Sequence, residues 1–349
     1  ILITCVLISG TFTVVYLICL PKLEGIQNQF RPQSLIPLAL AVATTLDLAT
    51  NLGINPTRSI MADVTPDGKA RTKGYTWMQT VSGTMGVLAY FIGAWFDNYT
   101  LIYVGVFIVL AFSIIPIFFI EEPKTLQADN TDSEINALDI QAHTQKAEVN
   151  ELIKIYLANA FSWIGVQTMF VFMFAYASQM LFNTNDSSSL DDEQKNSIGK
   201  IIGYSFLILN AVGAILPALV LEPLTKKFGR ITVQSTCILI MSIGYALIVF
   251  AGKDVTTLYI CMAIAGIGWA AIVSLPFAIM SEKVNKQRMG LFMGIFNMSI
   301  VIPQLIVSLL IAQFISDAED KSLIFKISAV SLFLSFLMWR WVKEKKRLN

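Results

Sequence analysis

What most constrains this chain is the recurrence of apolar runs long enough to cross a lipid bilayer. A hydrocarbon core about 30 Å thick needs about 20 helical residues, because no water is present there to pair backbone N–H and C=O groups. Ten segments meet that length, approximately 1–20, 35–62, 75–96, 100–120, 152–182, 198–222, 231–251, 256–281, 287–316 and 322–342. Several hold Gly or Pro, which membrane helices tolerate. The expected fold class is an all-α membrane protein with ten transmembrane helices. With 55% hydrophobic and 14% charged residues, the chain is too apolar for an ordinary water-facing surface. Its net charge of +1 supplies no basic field for nucleic acid.

Lys and Arg set the expected orientation, since cytoplasmic loops retain them during insertion. Alternate connections carry 17 of them on one side and 7 on the other, with Arg58 inside a span. The richer side, which includes the C-terminus, is read as cytoplasmic. Residue 1 opens directly in an apolar run without a charged flank. With ten spans and a cytoplasmic C-terminus, the expectation is that an even number of helices, two at the simplest, precedes it. The hydrophilic stretch from Glu121 to Lys154 reads as a linker. The expected organisation is residues 1–120 as the remainder of an N-terminal six-helix bundle, 121–151 as an acidic linker, and 152–349 as a C-terminal six-helix bundle with a basic tail. An internal echo supports two related halves: Asp63, Arg71 and Gly74 on one side of the linker, and Glu282, Arg288 and Gly290 on the other.

Charges at membrane depth are expensive and face a bundle interior or a wet cavity. Only Asp47 and Arg58 fall clearly inside spans. On one helix Arg58 lies within roughly 20° of Asp47 and Asn51 about 40° away, so the three share a face, with Asp47 and Arg58 roughly 16 Å apart along the axis. Pro56 between them is expected to kink the helix. A desolvated carboxyl holds its proton more tightly, which suits Asp47 to proton coupling. Amide side chains donate and accept at once, as hydroxyl-rich solutes require, which marks Asn51, Gln79, Gln167, Gln179, Asn210, Asn297 and Gln304 as candidate contacts beside Arg58. Trp163 and Trp269 offer ring faces for stacking. The glycines at 266, 268, 290 and 294, with Pro276 and Pro303, are read as kink and close-packing positions. Asn98 and Asn185 head glycosylation patterns.

No Walker A or HExxH sequence is present, and the single histidine, His143, sits in the linker. Cys5, Cys19, Cys237 and Cys261 are widely spaced within apolar runs, which reads as buried packing rather than metal binding. Neither an enzyme nor a metal or cofactor is expected.

The run Asp47, Asn51, Pro56, Arg58, Ala62 and Asp63 resembles the fourth transmembrane helix of sucrose–proton symporters and their disaccharide-transporting relatives, a branch of the glycoside-pentoside-hexuronide:cation symporters. Ser205, Asn210, Glu222-Pro223-Leu224 and Phe228-Gly229 are similar to that group's eighth helix and following loop. Ser274-Leu275-Pro276-Phe277-Ala278 is similar to its tenth, and Gly290, Gly294, Asn297 and Val301-Ile302-Pro303-Gln304 to its eleventh. The resemblance assigns the ten spans to helices three to twelve. It implies a major facilitator fold working by alternating access, with Asp47 coupling protons and Arg58 binding sugar or coupling. Lys227, Gly229 and Arg230 match part of the facilitator gating-loop motif. Contacts among Asp63, Arg71, Glu222, Lys227, Arg230, Glu282 and Arg288 are expected to gate the cytoplasmic side. The function so implied is proton-coupled symport of a sucrose- or maltose-type disaccharide across a cell membrane. The alternative is a sodium-coupled or facilitative transporter of another small glycoside or solute.

Overall fold

The computed structural model describes residues 54, 58–62, 65–66, 68–95, 103–105, 107–108, 111–112, 149–186, 189–251, 254–284 and 288–343. Asp47, Asn51, Asp63, Asn98, His143, Cys5, Cys19 and the body of the linker lie outside these residues, as do the first span, most of the second and most of the fourth. The chain divides into two compact units, residues 1–61 with 88–144 and residues 62–87 with 145–349. In the first, the described residues include the helical stretch 58–61 and short helical pieces between 103 and 112. The second holds the contacts described below.

Ten helices are described in full: α1 Lys69–Trp95, α2 Val149–Phe182, α3 Asp192–Leu216, α4 Glu222–Phe228, α5 Arg230–Ala251, α6 Val255–Ile272, α7 Leu275–Ser281, α8 Met289–Ile306, α9 Ala312–Asp317 and α10 Leu323–Trp339. A π-helical turn, Pro217–Leu221, joins α3 to α4, and another, Val307–Ile311, joins α8 to α9. Five continuous segments are long and apolar enough to cross a membrane among the described residues: Val149–Phe182, Glu193–Phe228, Arg230–Ala251, Val255–Ser281 and Met289–Asp317. Leu323–Trp339 is apolar but shorter. These six helices fall where the last six spans were expected, with ends within three residues except Glu193–Phe228, which extends five and six residues beyond the expected 198–222.

Local chemistry explains the boundaries. Asp191 caps α3 through a reciprocal pair, accepting from the Gln194 N–H while the Gln194 side chain accepts from the Asp191 N–H. Asp254 caps α6 by accepting from the Thr257 N–H. Between α4 and α5 the chain turns at Gly229, whose φ of 84° an L side chain rarely adopts. The span that begins as α6 breaks at Val273–Ser274, just ahead of Pro276. Proline lacks the N–H that would continue the helical ladder, and its ring crowds the carbonyl four residues back. Pro303 lies inside α8, four residues before a π turn, so both prolines sit at irregularities as expected.

The six spans pack in cyclic order α2, α3, α6, α5, α10, with α8 against the other side of α2. Small side chains set the close approaches. A Cβ on Gly268 would stand 2.3 Å from the Met241 Cβ of α5, and one on Gly266 2.6 Å from the Val212 Cβ of α3. Serines tie the helices where apolar contact alone gives little direction. Ser162 of α2 and Ser335 of α10 lie 2.6 Å apart, Ser331 donates to the Phe161 carbonyl, and Ser242 of α5 donates to the Ala329 carbonyl. Cys237 and Cys261 are buried and free.

At one end, Gln179 grips the loop before α10, donating to the Glu319 carbonyl at 2.6 Å and accepting from the Lys321 N–H at 2.7 Å. Asn185 joins it, donating to the same carbonyl and accepting from Gln179. The amide that the glycosylation pattern singled out is thus a tie in this loop. At the opposite end lie the Lys- and Arg-rich turns.

Candidate functional site

Near the middle of α2, Trp163, Gln167 and Phe170 follow at i, i+4 and i+7 and so share a face. All three are half-buried. Trp269, near the middle of the span formed by α6 and α7, meets that face edge-on. Its ring centroid is 5.9 Å from Trp163 at 77° and 5.5 Å from Phe170 at 66°. Phe206 of α3 lies 4.9 Å from Phe170. Asn210, one turn further along α3, accepts the Trp269 indole N–H at 3.2 Å and donates to the Phe206 carbonyl at 2.8 Å. Gln167 lies between two rings that both touch Trp269, and its amide has no hydrogen-bond partner among the described residues. Aromatic faces beside an uncommitted amide suit a solute with both apolar ring faces and hydroxyls.

Of the residues singled out from sequence, the structure brings Trp163, Gln167, Asn210 and Trp269 together. Gln79 on α1 and Asn297 and Gln304 on α8 are half-buried, and their side chains make no hydrogen bond among the described residues. Arg58 is half-buried in the stretch 58–62. Asp47 and Asn51 lie outside the described residues. Phe170, Phe206 and Gly213 were missed, although the 3.5-residue spacing of Trp163, Gln167 and Phe170 was available as a signal.

The second constellation sits at the basic end. Arg230 at the start of α5 grips Glu282, just after α7, with two hydrogen bonds of 2.6 and 2.5 Å. Glu282 also accepts the Gly68 N–H at 2.5 Å. Gly68 has a φ of 93°, so a glycine lets the chain present that N–H immediately before α1. Arg71 is fully buried and donates to three carbonyls, those of Ala62, Thr65 and Ser281. Tyr75 stacks on Phe277, which meets Phe296 edge-on. Ala62, Thr65 and the stretch 68–75 are thereby held against α7 and the residue that follows it. Burial by itself raises the Glu282 pKa, but the Arg230 hydrogen bonds and charge, the Gly68 N–H and the Arg71 charge together hold it below its ordinary value.

The remaining members of the expected gate are arranged differently. Glu222 pairs with Lys226 one turn along its own helix. Lys227 is exposed, its ammonium 5.1 Å from the Phe228 ring centre. Arg288 is exposed at the start of α8 and pairs with no carboxylate among the described residues. The two halves of the sequence echo are therefore not alike, since Arg71 is buried and Arg288 is not.

Residues 194–349 match the family model of the Major Facilitator Superfamily. Solved structures of that superfamily superimpose on nearly the whole chain. The transporter FucP in its outward conformation does so over 99% of this chain and 83% of its own, with a TM-score of 0.66 at 13% identity. The proton:xylose symporter XylE bound to 6-bromo-6-deoxy-D-glucose covers 98% and 80%, with a TM-score of 0.67 at 15% identity. The fold is that of the major facilitator superfamily. With its apolar helices, it makes the chain a multi-pass membrane protein. In sequence, the chain is 23% identical over 314 residues to sucrose transport protein SUT2 of Oryza sativa subsp. indica, covering 76% of this chain and 61% of that protein. It is 24% identical over 332 residues to sucrose transport protein SUC4 of Arabidopsis thaliana, covering 81% and 63%. The chain thus spans less than two thirds of the length of these relatives.

Proposed function

We propose that this chain belongs to a secondary active transporter that carries a disaccharide of the sucrose or maltose type together with a proton. The observation that carries the reading is the mid-span face on which the uncommitted Gln167 amide lies between Trp163 and Phe170, both against Trp269. The plant relatives named as sucrose transport proteins support the substrate class, and the fold shared with a proton:xylose symporter supports the coupling. Asp47 is the proton carrier of this reading and Arg58 the residue that hydrogen-bonds the sugar. Asn51, Gln79, Asn297 and Gln304 are the further amides of this reading. A protonated Asp47 is neutral, which lowers the penalty for moving the loaded site through an apolar interior.

The basic end faces the cytoplasm in this reading, and the contact of Arg230, Glu282, Gly68 and Arg71 is a closed cytoplasmic gate. Helices α1 and α2 are then the fifth and seventh of twelve, and the six C-terminal spans form the second bundle.

The test is uptake of labelled sucrose and maltose into vesicles that contain the full-length protein, with an imposed pH or sodium gradient. Accumulation driven by an inward proton gradient, abolished by Asp47→Asn, is the expected result. Accumulation driven only by sodium, or an Asp47→Asn protein that still accumulates sugar against its gradient, overturns the proton assignment. Transport of neither sugar overturns the substrate class.

A further inference from the structure

Asn210 stands out among the amides of this site because both of its polar atoms are already engaged. An asparagine amide offers two donor hydrogens and an acceptor oxygen. Here the oxygen takes the Trp269 indole N–H, and the nitrogen gives a hydrogen to the Phe206 carbonyl on its own helix. The orientation of the amide is fixed chemically, since a flipped amide would set its NH2 group against the indole N–H and its oxygen against the carbonyl. Gln167, by contrast, has every position free among the described residues.

The seat beneath the indole is built for a ring. A Cβ on Gly213, one turn beyond Asn210 on α3, would stand 2.5 Å from Trp269 Cδ1 and 3.2 Å from its Nε1. Gly266, one turn before Trp269 on α6, keeps the two helices this close by meeting Val212. Trp163 and Phe170 then bound the ring from α2. One hydrogen bond, one missing side chain and two edge-on rings thus hold a half-buried indole in a single pose at mid-span.

We propose that Asn210 is a positioning residue: it holds Trp269 so that the indole receives a pyranose ring, while Gln167 bonds the sugar hydroxyls. This rests on the sugar reading above. Pre-organisation matters because a ring that must be ordered on binding gives up affinity to do so. Specificity for a solute with an apolar ring face then depends on a residue that itself makes no contact with it.

The experiment uses the full-length protein in detergent or vesicles, with sucrose and maltose as probes. Sugar affinity is read from tryptophan fluorescence, and Trp269→Phe identifies the signal of that ring. Asn210→Leu keeps the volume and removes the bond. It is expected to weaken sugar binding roughly three- to ten-fold, the effect of losing one neutral hydrogen bond, and to raise indole mobility, measured as a fall in Trp269 anisotropy without sugar. Asn210→Asp supplies a rescue with its own signature. A protonated carboxyl reproduces both bonds, whereas an ionised one is repelled by the Phe206 carbonyl. Its affinity relative to wild type should therefore fall as pH rises, a profile that a merely structural role would not give. A wild type that responds to sugar, with Asn210→Leu unchanged in affinity and anisotropy, overturns the positioning role alone. A wild type that responds to neither sugar overturns the sugar reading, and this role with it.

Discussion

Glu282 shows how burial and pairing compete at one residue. It is 8% exposed and its partner Arg230 4% exposed, so neither charge has adequate water. A two-pronged guanidinium–carboxylate contact with a backbone N–H added on the same oxygen compensates for that loss. Removing one partner strips the other buried charge of its main ionic contact, which costs about 3–5 kcal/mol. Glu282→Ala and Arg230→Ala should each lower the apparent Tm by that order of stability. Arg230→Met combined with Glu282→Met should lose less than the two single changes added together, and thermal unfolding of the four proteins checks it. The pH dependence follows from the direction of the Glu282 shift. A carboxylate with a depressed folded pKa contributes stability above its ordinary value of 4.5, and that contribution fades as pH falls below 4.5 toward the folded value. Wild-type Tm should therefore decline on acidification through this window more steeply than that of Glu282→Gln.

At the scale of elements, glycine positions that look alike in sequence behave differently. Gly268 has the Met241 Cβ and the Cys237 carbonyl at 2.3 and 2.8 Å from where a Cβ would go, while nothing lies within 4 Å of the same point on Gly294. Gly268→Ala pushes α5 and α6 apart and should destabilise by about 1–3 kcal/mol. Gly294→Ala meets open space and should be neutral or stabilising by roughly 0.5–1 kcal/mol, the helix preference of Ala over Gly. Melting curves of the two variants side by side decide the point. Periodicity alone could not separate these positions, because close packing belongs to a pair of helices. The breaks were easier to foresee. Pro276 and Pro303 dictate local irregularity through the absent N–H wherever the helix lies, and the chain breaks at Val273–Ser274 and turns π-helical at Val307–Ile311.

At the scale of the molecule, the docking of the stretch 68–75 on α7 and Glu282 runs through a few named groups. Arg71 joins the carbonyls of Ala62 and Thr65 to that of Ser281, and the Gly68 N–H joins Glu282. Arg71→Met keeps the apolar stem and deletes the bonds, so it should loosen this contact without emptying the core. Ser281 is 1% exposed. A cysteine introduced at that position in a cysteine-free background should react with a maleimide faster when Arg71→Met is also present. Equal rates would mean that the Gly68–Glu282 bond and the Tyr75–Phe277 contact suffice to hold it closed.

Apolar run length determined by itself that this chain spans a bilayer as helices, because unpaired backbone groups have no other refuge in hydrocarbon. It also located the apolar helices of the C-terminal half, all but Glu193–Phe228 to within three residues, and residue type marked Trp163, Gln167, Asn210 and Trp269 as polar or aromatic groups out of place in lipid. Only the tertiary structure decided which partner each received. Asn210 went to an indole, Gln167 to no group among the described residues, Glu222 to its own helix, and Glu282 to Arg230 and a glycine more than two hundred residues away. Hydrophobicity acts on each segment separately and can be read along the chain. Hydrogen bonds and ion pairs depend on distances of a few ångströms between segments, which are fixed only once the helices have packed.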